Sequence, residues 1–321
     1  MNETQKETNM RPVELTGTIV PLVTPFADDE SFDVQAMGQL IDYVLDQGAD
    51  ALMPTALTGE GPLLTPDETV AVWDTVFEKV GRRRPIIPAV ISTTTRKAIS
   101  LVRAAEERGA EAVMVAPILP ELYAGRSHDD VYAFYADVAV ATSLPIILFN
   151  YPSLTSVDFV PSLVVRLAEI ENVQYIKEST GDIRRVHGIQ RLVGERLSVI
   201  CGAPNVALAS LALGCRAWIT GVMNVVPRSA QQLMHAVGEL SDLRLARRIY
   251  YAQILPLVDL LARNYNPTGT IKAGVCARGV DVGRPRRPGR SVGPADRELL
   301  ERLTADIARA EAEIAAELAV R

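Results

Sequence analysis

Lys177 is the residue of this 321-residue chain with the clearest chemical consequence. It follows Ile176 in the run VQYIKES (Val173–Ser179), near the end of an apolar segment that reads as a buried strand. Burial penalises the ammonium form and lowers a lysine pKa. A neutral amine attacks a carbonyl carbon and forms a Schiff base. The iminium then acts as an electron sink for bonds at the adjacent carbons. The other reading is structural, a lysine ion-paired with Glu178 or another carboxylate. Composition favours the first. Only five of the 33 basic residues are lysines: Lys6, Lys79, Lys97, Lys177 and Lys272. A chain that uses arginine for generic positive charge has reason to keep a lysine where an amine must lose its proton.

Other candidates lie near the ends of apolar runs. Leu57, Thr58 and Gly59 follow the second run, and a turn of backbone N–H groups beside a hydroxyl can hold a carboxylate; an ordinary tight turn is the alternative. Phe149 and Tyr151 are two apart and share one face of a strand. Tyr151 then either relays protons near Lys177 or is a core tyrosine. Tyr123, in the loop after the fourth run, is a further hydroxyl. Gly202, Ile219 and Thr220 close the seventh and eighth runs and join Leu154 as candidate lining residues. His128, His187 and His235 fall away from the strand tails and read as surface or core residues. No Ser/His/Asp arrangement, phosphate loop or metal-ligand spacing is visible, so no metal is expected.

Eight apolar runs must position these groups: Thr18–Phe26, Ala49–Ala56, Pro85–Ile91, Ala110–Ile118, Leu144–Pro152, Val173–Ser179, Leu197–Ala203 and Arg216–Asn224. They are near-continuous, as parallel strands covered on both faces require. Amphipathic stretches lie between them, including Asp33–Asp46, Pro66–Val80, Thr94–Glu107 and Asp129–Ala141. Gly48, Gly81, Gly109, Gly194 and Gly214 suit left-handed helix ends. Eight strand–helix units in order predict an α/β fold, a (β/α)8 barrel over 15–240. A doubly wound sheet is the alternative, but no GxGxxG follows the first strand. Residues 1–14 read as a flexible arm and 241–321 as a helical domain. That domain would hold helices at Leu243–Asn264 and from Pro294 to about Leu318. The loop Gly283–Arg290 (GRPRRPGR) is either a proline-stiffened connection or a surface for an anionic partner.

Composition narrows the class. Hydrophobic residues are 48% and charged residues 22%, which excludes chain-wide disorder. No apolar run is long enough and free enough of charge to span a membrane. A net charge of −6 argues against a nucleic-acid partner. Cys201, Cys215 and Cys276 form no CxxC and read as small core residues in a reducing compartment. The polar N-terminus lacks the apolar segment of a secretory signal, so a cytoplasmic protein is expected.

Taken together, GTIVPLVTPF, LTGE followed by LTPDE, FNYP, YIKESTGD and NPTGTIK resemble the dihydrodipicolinate synthase / N-acetylneuraminate lyase family. The likeness runs from about Leu15 to Ala277. It implies a (β/α)8 barrel, a homotetramer or dimer, and an imine between Lys177 and pyruvate or another 2-oxo acid. It implies that Thr58 and its neighbouring backbone hold the carboxylate, and that no cofactor is used. Several positions depart from the family. Leu57 stands where the family has a relay threonine, Phe149 where it has a relay tyrosine, and Leu154 where the synthase has an arginine. The paired-tyrosine segment becomes Ile118–Tyr123. These losses predict a Schiff-base lyase that is not a true dihydrodipicolinate synthase, with Tyr151, helped by Tyr123 or water, replacing the relay. A dehydratase or deaminase working through the same imine is the near alternative. A catalytically weakened 2-oxo-acid binder is the more distant one.

Overall fold

The computed structural model describes residues 14–117, 127–264 and 267–320. Eight strands are present: β1 (Gly17–Pro21), β2 (Ala51–Met53), β3 (Ala89–Ser92), β4 (Val113–Pro117), β5 (Ile146–Asn150), β6 (Val173–Glu178), β7 (Ser198–Cys201) and β8 (Ala217–Ile219). They pair in parallel in the order β2-β1-β8-β7-β6-β5-β4-β3. β2 and the segment that leads into β3 meet at an isolated bridge, Leu52 to Ile86. The Leu52 N–H donates to Pro85 O at 3.0 Å and the Ile87 N–H to Leu52 O at 2.9 Å, so the sheet closes on itself. This is the expected (β/α)8 barrel. The strands are shorter than the apolar runs. In the third run, Pro88 lacks an N–H and cannot donate to a ladder, which leaves only Ala89–Ser92 as strand.

Helices α1 (Val34–Asp46), α2 (Pro66–Val80), α3 (Thr95–Glu107) and α4 (His128–Ala139) follow the first four strands. Their starts are set by side-chain caps: Asp33, Thr65, Thr94 and Ser127 each accept a backbone N–H of the first turn. Short helices α5 (Pro152–Thr155) and α6 (Pro161–Leu167) follow β5, and α7 (Ile183–Val193), α8 (Ala207–Ala212) and α9 (Pro227–Gly238) follow β6, β7 and β8. All five predicted cap glycines have positive φ.

Beyond α9 the described elements are helical. The predicted helix Leu243–Asn264 is instead α10 (Leu243–Ile249), a π turn over Tyr250–Ile254, and α11 (Leu255–Arg263). Pro256 cannot donate to the preceding turn, which fits the break there. Then come α12 (Pro267–Ala277) and α13 (Pro294–Ala319). Leu300, Ile307 and Ile314 of α13 are buried. Glu311 ties α13 down, accepting from the Ser229 hydroxyl at 2.7 Å and pairing with Arg278 at 2.6 Å. No helix among the described residues is long and apolar enough to cross a membrane.

Two apolar layers result. The interior of the barrel holds Ile19, Met53, Ala89, Met114, Ile147, Phe149, Tyr175, Ile200 and Ile219. A larger cluster lies between the strands and the helices. Strand alternation assigns the faces: Tyr175 and Phe149 point in, while Ile176 packs in the outer layer. Cys201 and Cys215 are buried as expected. Cys276 is exposed, because its position on α12 faces away from the core.

Candidate active site

Alternation on β6 carries Lys177 inward, two residues beyond Tyr175. The β5–β6 register sets Phe149 beside it. Lys177 Nζ lies 4.5 Å from the Phe149 ring centroid. The side chain is 8% exposed, and burial lowers its pKa from 10.5 to about 7. The Cys201 thiol next to it works against this shift; burial pushes that thiol up to about 12.

The ion-pair alternative fails on direction. Glu178 is the next residue on the strand and faces the other way. Its carboxylate accepts from Asn150 Nδ2 and from the Thr180 N–H, each at 2.7 Å. Asn150 is itself fixed by the Phe159 N–H at 3.0 Å. Among the described residues no carboxylate pairs with Lys177. Asn150 and Glu178 thus act as a buried clamp behind the strands that carry Phe149 and Lys177. Sequence reasoning missed that clamp; its signal was the polar residue following each inward site residue.

Gly202, one step past β7, is required by space. A Cβ there would stand 2.0 Å from Ser179 Oγ and 2.9 Å from Lys177 Cγ. The Gly202 N–H also donates to Glu178 O at 2.8 Å, which leaves the backbone no easy retreat. Gly202→Ala is therefore expected to push the lysine arm aside, cutting covalent capture of a 2-oxo acid by about 10²-fold. Overpacking should cost about 1–3 kcal/mol in chemical denaturation. Timed borohydride trapping checks the first effect, and wild-type capture by the variant would refute it.

The turn after β2 faces this wall. Leu57 packs against the barrel interior. Thr58 lies beside Gly221 at the end of β8: a Cβ on that glycine would be 3.1 Å from Thr58 Oγ1. Gly59 has no room for a side chain, with Leu22 O only 2.5 Å from a Cβ position, and its carbonyl accepts from the Thr24 hydroxyl at 2.6 Å. The Glu60 and Gly61 N–H groups bond back to Leu57 O and Ala56 O. Those of Thr58 and Gly59 make no hydrogen bond among the described residues, and neither does the Thr58 hydroxyl.

A buried ion pair holds the turn. Glu60, at φ 58°, reaches Lys272 Nζ of α12 at 2.8 Å, with side chains 5% and 1% exposed. Burial lowers the Lys272 pKa, and the Glu60 carboxylate works against that shift. Lys272 also donates to Arg284 O at 2.9 Å, and the Arg286 N–H donates to Glu60 at 2.9 Å. Arg286 pairs with Glu68 at 2.6 Å and holds that carboxyl down at about 2. The basic loop is thus more than a plain solvated connection. It is a strap across the turn, with Arg286 spent on Glu68 and Arg287 on Glu30.

Phe149, Gly202, Ile219 and the 57–59 turn are therefore brought to the mouth of the barrel with Lys177. Tyr151 is further out: its ring rests on Phe149 with centroids 6.0 Å apart, and it is 38% exposed. Thr220 is buried where the chain leaves β8. Tyr123 and the side chain of Leu154 lie outside the described residues. No group of three or more metal-ligating side chains occurs among the described residues.

A sequence model of the dihydrodipicolinate synthetase family matches residues 14–310. The 4-hydroxy-tetrahydrodipicolinate synthase of Pelobacter propionicus is 31% identical over 284 residues, covering 88% of this chain and 96% of the relative. The dihydrodipicolinate synthase structure from Aquifex aeolicus superposes with a TM-score of 0.84 at 31% identity, covering 90% of this chain and 97% of that one. The Acinetobacter baumannii synthase, solved in complex with pyruvate, gives 0.84 at 28% identity over 92% and 99%. The chain belongs to the dihydrodipicolinate synthetase family, whose members are lyases of the class I aldolase type.

Proposed function

We propose that this enzyme forms an imine between Lys177 and pyruvate or another small 2-oxo acid, and makes or breaks a bond at the neighbouring carbon. The observation that carries the reading is the inward, buried amine, which meets no carboxylate among the described residues and whose pKa burial lowers to about 7. The unused N–H groups of Thr58 and Gly59, with the Thr58 hydroxyl, suit the substrate carboxylate. Pyruvate is the ligand of the Acinetobacter baumannii relative, which supports the substrate class. Incubation with pyruvate and borohydride should add one reduced adduct at Lys177, located by peptide mass mapping. An unmodified protein would defeat the proposal.

The second substrate differs, in this reading, from that of the synthases. Leu57 and Phe149 replace hydroxyls with apolar surface at the amine. A less polar acceptor than a sugar acid follows, or dehydration or deamination of a 2-oxo acid through the same imine. Synthase activity is the second reading, favoured by the names of the relatives. A panel of aldehydes and deoxy 2-oxo acids, run beside the synthase assay, separates the two. The protein is expected to work as a dimer or tetramer, on family membership.

Tyr151 serves the outer end of the cavity in this scheme, where its exposed phenol exchanges protons with solvent. Tyr151→Phe should lower kcat by about 10²-fold and leave KM nearly unchanged. Steady-state kinetics on the best panel substrate decide it, and a full-rate variant removes Tyr151 from the mechanism.

A further inference from the structure

Ser179 takes part in nothing described so far. Its N–H donates to Asn150 O at 2.9 Å, which continues the β5–β6 ladder one step past β6. Alternation from Tyr175 and Lys177 puts its side chain on the inward face. Its Oγ is buried and has no hydrogen-bond partner among the described residues. The same missing Gly202 side chain leaves room for both groups: Ser179 Oγ and Lys177 Cγ each lie within 3 Å of where a Cβ would stand. An idle buried hydroxyl costs about 1–3 kcal/mol, so its place beside the lysine arm calls for a use. The positions where hydroxyls were expected near that amine are Leu57 and Phe149, which have none.

We propose that Ser179 is the catalytic hydroxyl that shuttles the proton from the Lys177 nitrogen to the departing oxygen during imine formation. The inference rests on the imine chemistry proposed above. The amine nitrogen first bonds to the carbonyl carbon, and the resulting carbinolamine carries the former carbonyl oxygen as hydroxyl. Ser179 Oγ accepts a proton from nitrogen and gives its own to that hydroxyl. The carbon–oxygen bond then breaks, water leaves, and the carbon–nitrogen double bond forms. Ser179 ends as it began. A hydroxyl that accepts and donates in one step needs no pKa near neutrality, which a lone serine does not have.

Timed trapping tests this. The full chain at pH 8 is mixed with pyruvate, quenched with borohydride at increasing times, and the Lys177 peptide is quantified. Ser179→Ala is expected to label about 10²-fold more slowly than wild type, reaching the same final extent. Its thermal midpoint should not fall, since no hydrogen bond is lost. Ser179→Thr, which keeps the hydroxyl, should recover most of the rate. Equal rates for Ser179→Ala and wild type would overturn the relay, and so would a Thr variant as slow as Ala. Absence of label on wild-type Lys177 would remove the imine itself, and the relay with it; label on wild type with no Ala effect removes the relay alone.

Discussion

Lys177→Arg is expected to abolish both borohydride trapping of pyruvate and turnover, with a loss of at least about 10⁴-fold, while the fold persists. Arginine keeps a positive charge but cannot supply an uncharged nitrogen near neutral pH. The same amine sets the pH dependence of capture by the wild type. With a pKa of about 7, the reactive fraction falls about tenfold per pH unit below 7 and levels off above it. Stability follows the opposite partner of the equilibrium. The folded lysine holds its proton less tightly than the unfolded one, whose ordinary pKa is 10.5. Between about pH 7 and 10.5 the unfolded chain binds more protons, so this group favours the folded state increasingly as pH rises through that window. A trapping rate that is flat from pH 5 to 9, or an arginine variant that still turns over, would contradict the assignment.

The second large effect is expected at Lys272. Lys272→Met leaves Glu60 buried without its cation and should cost about 3–5 kcal/mol in chemical denaturation. The loss is not confined to stability. Glu60 closes the turn that carries Leu57, Thr58 and Gly59, so KM for the 2-oxo acid should rise in any variant that still folds. Replacing both partners, Glu60→Gln with Lys272→Met, should recover much of the stability, because no lone charge remains. Recovery of stability without recovery of KM would show that the pair is retained for the turn. If the single variant is as stable as wild type, the ion pair has no such role.

Lysine scarcity in the sequence pointed at Lys177, but it pointed equally at Lys272, which also stands in an apolar stretch. The two have opposite fates, since one meets a carboxylate from 212 positions earlier and the other meets none among the described residues. Nothing local distinguishes them, because the partner is brought by closure of the barrel. The eight strands were legible because both faces are covered, which makes each run nearly all apolar. Their ends were not: Pro88 shortens β3, and the runs continue into buried turns such as Leu22–Phe26. The clamp at Asn150 and Glu178 depends on cross-strand register, which composition does not encode. The basic loop reads from sequence as either a proline-stiffened connection or an anion surface, because its acidic partners, Glu30, Glu60 and Glu68, are more than 200 residues away.

That distance bears on how the molecule matures. Arg286 reaches Glu60 across 226 positions. A chain emerging from the ribosome can assemble all its staves and present Lys177 before the buckle that secures the turn of Leu57, Thr58 and Gly59 has been made. Such long-range closures come late in folding. The geometry of that turn should therefore be the last part of the site acquired.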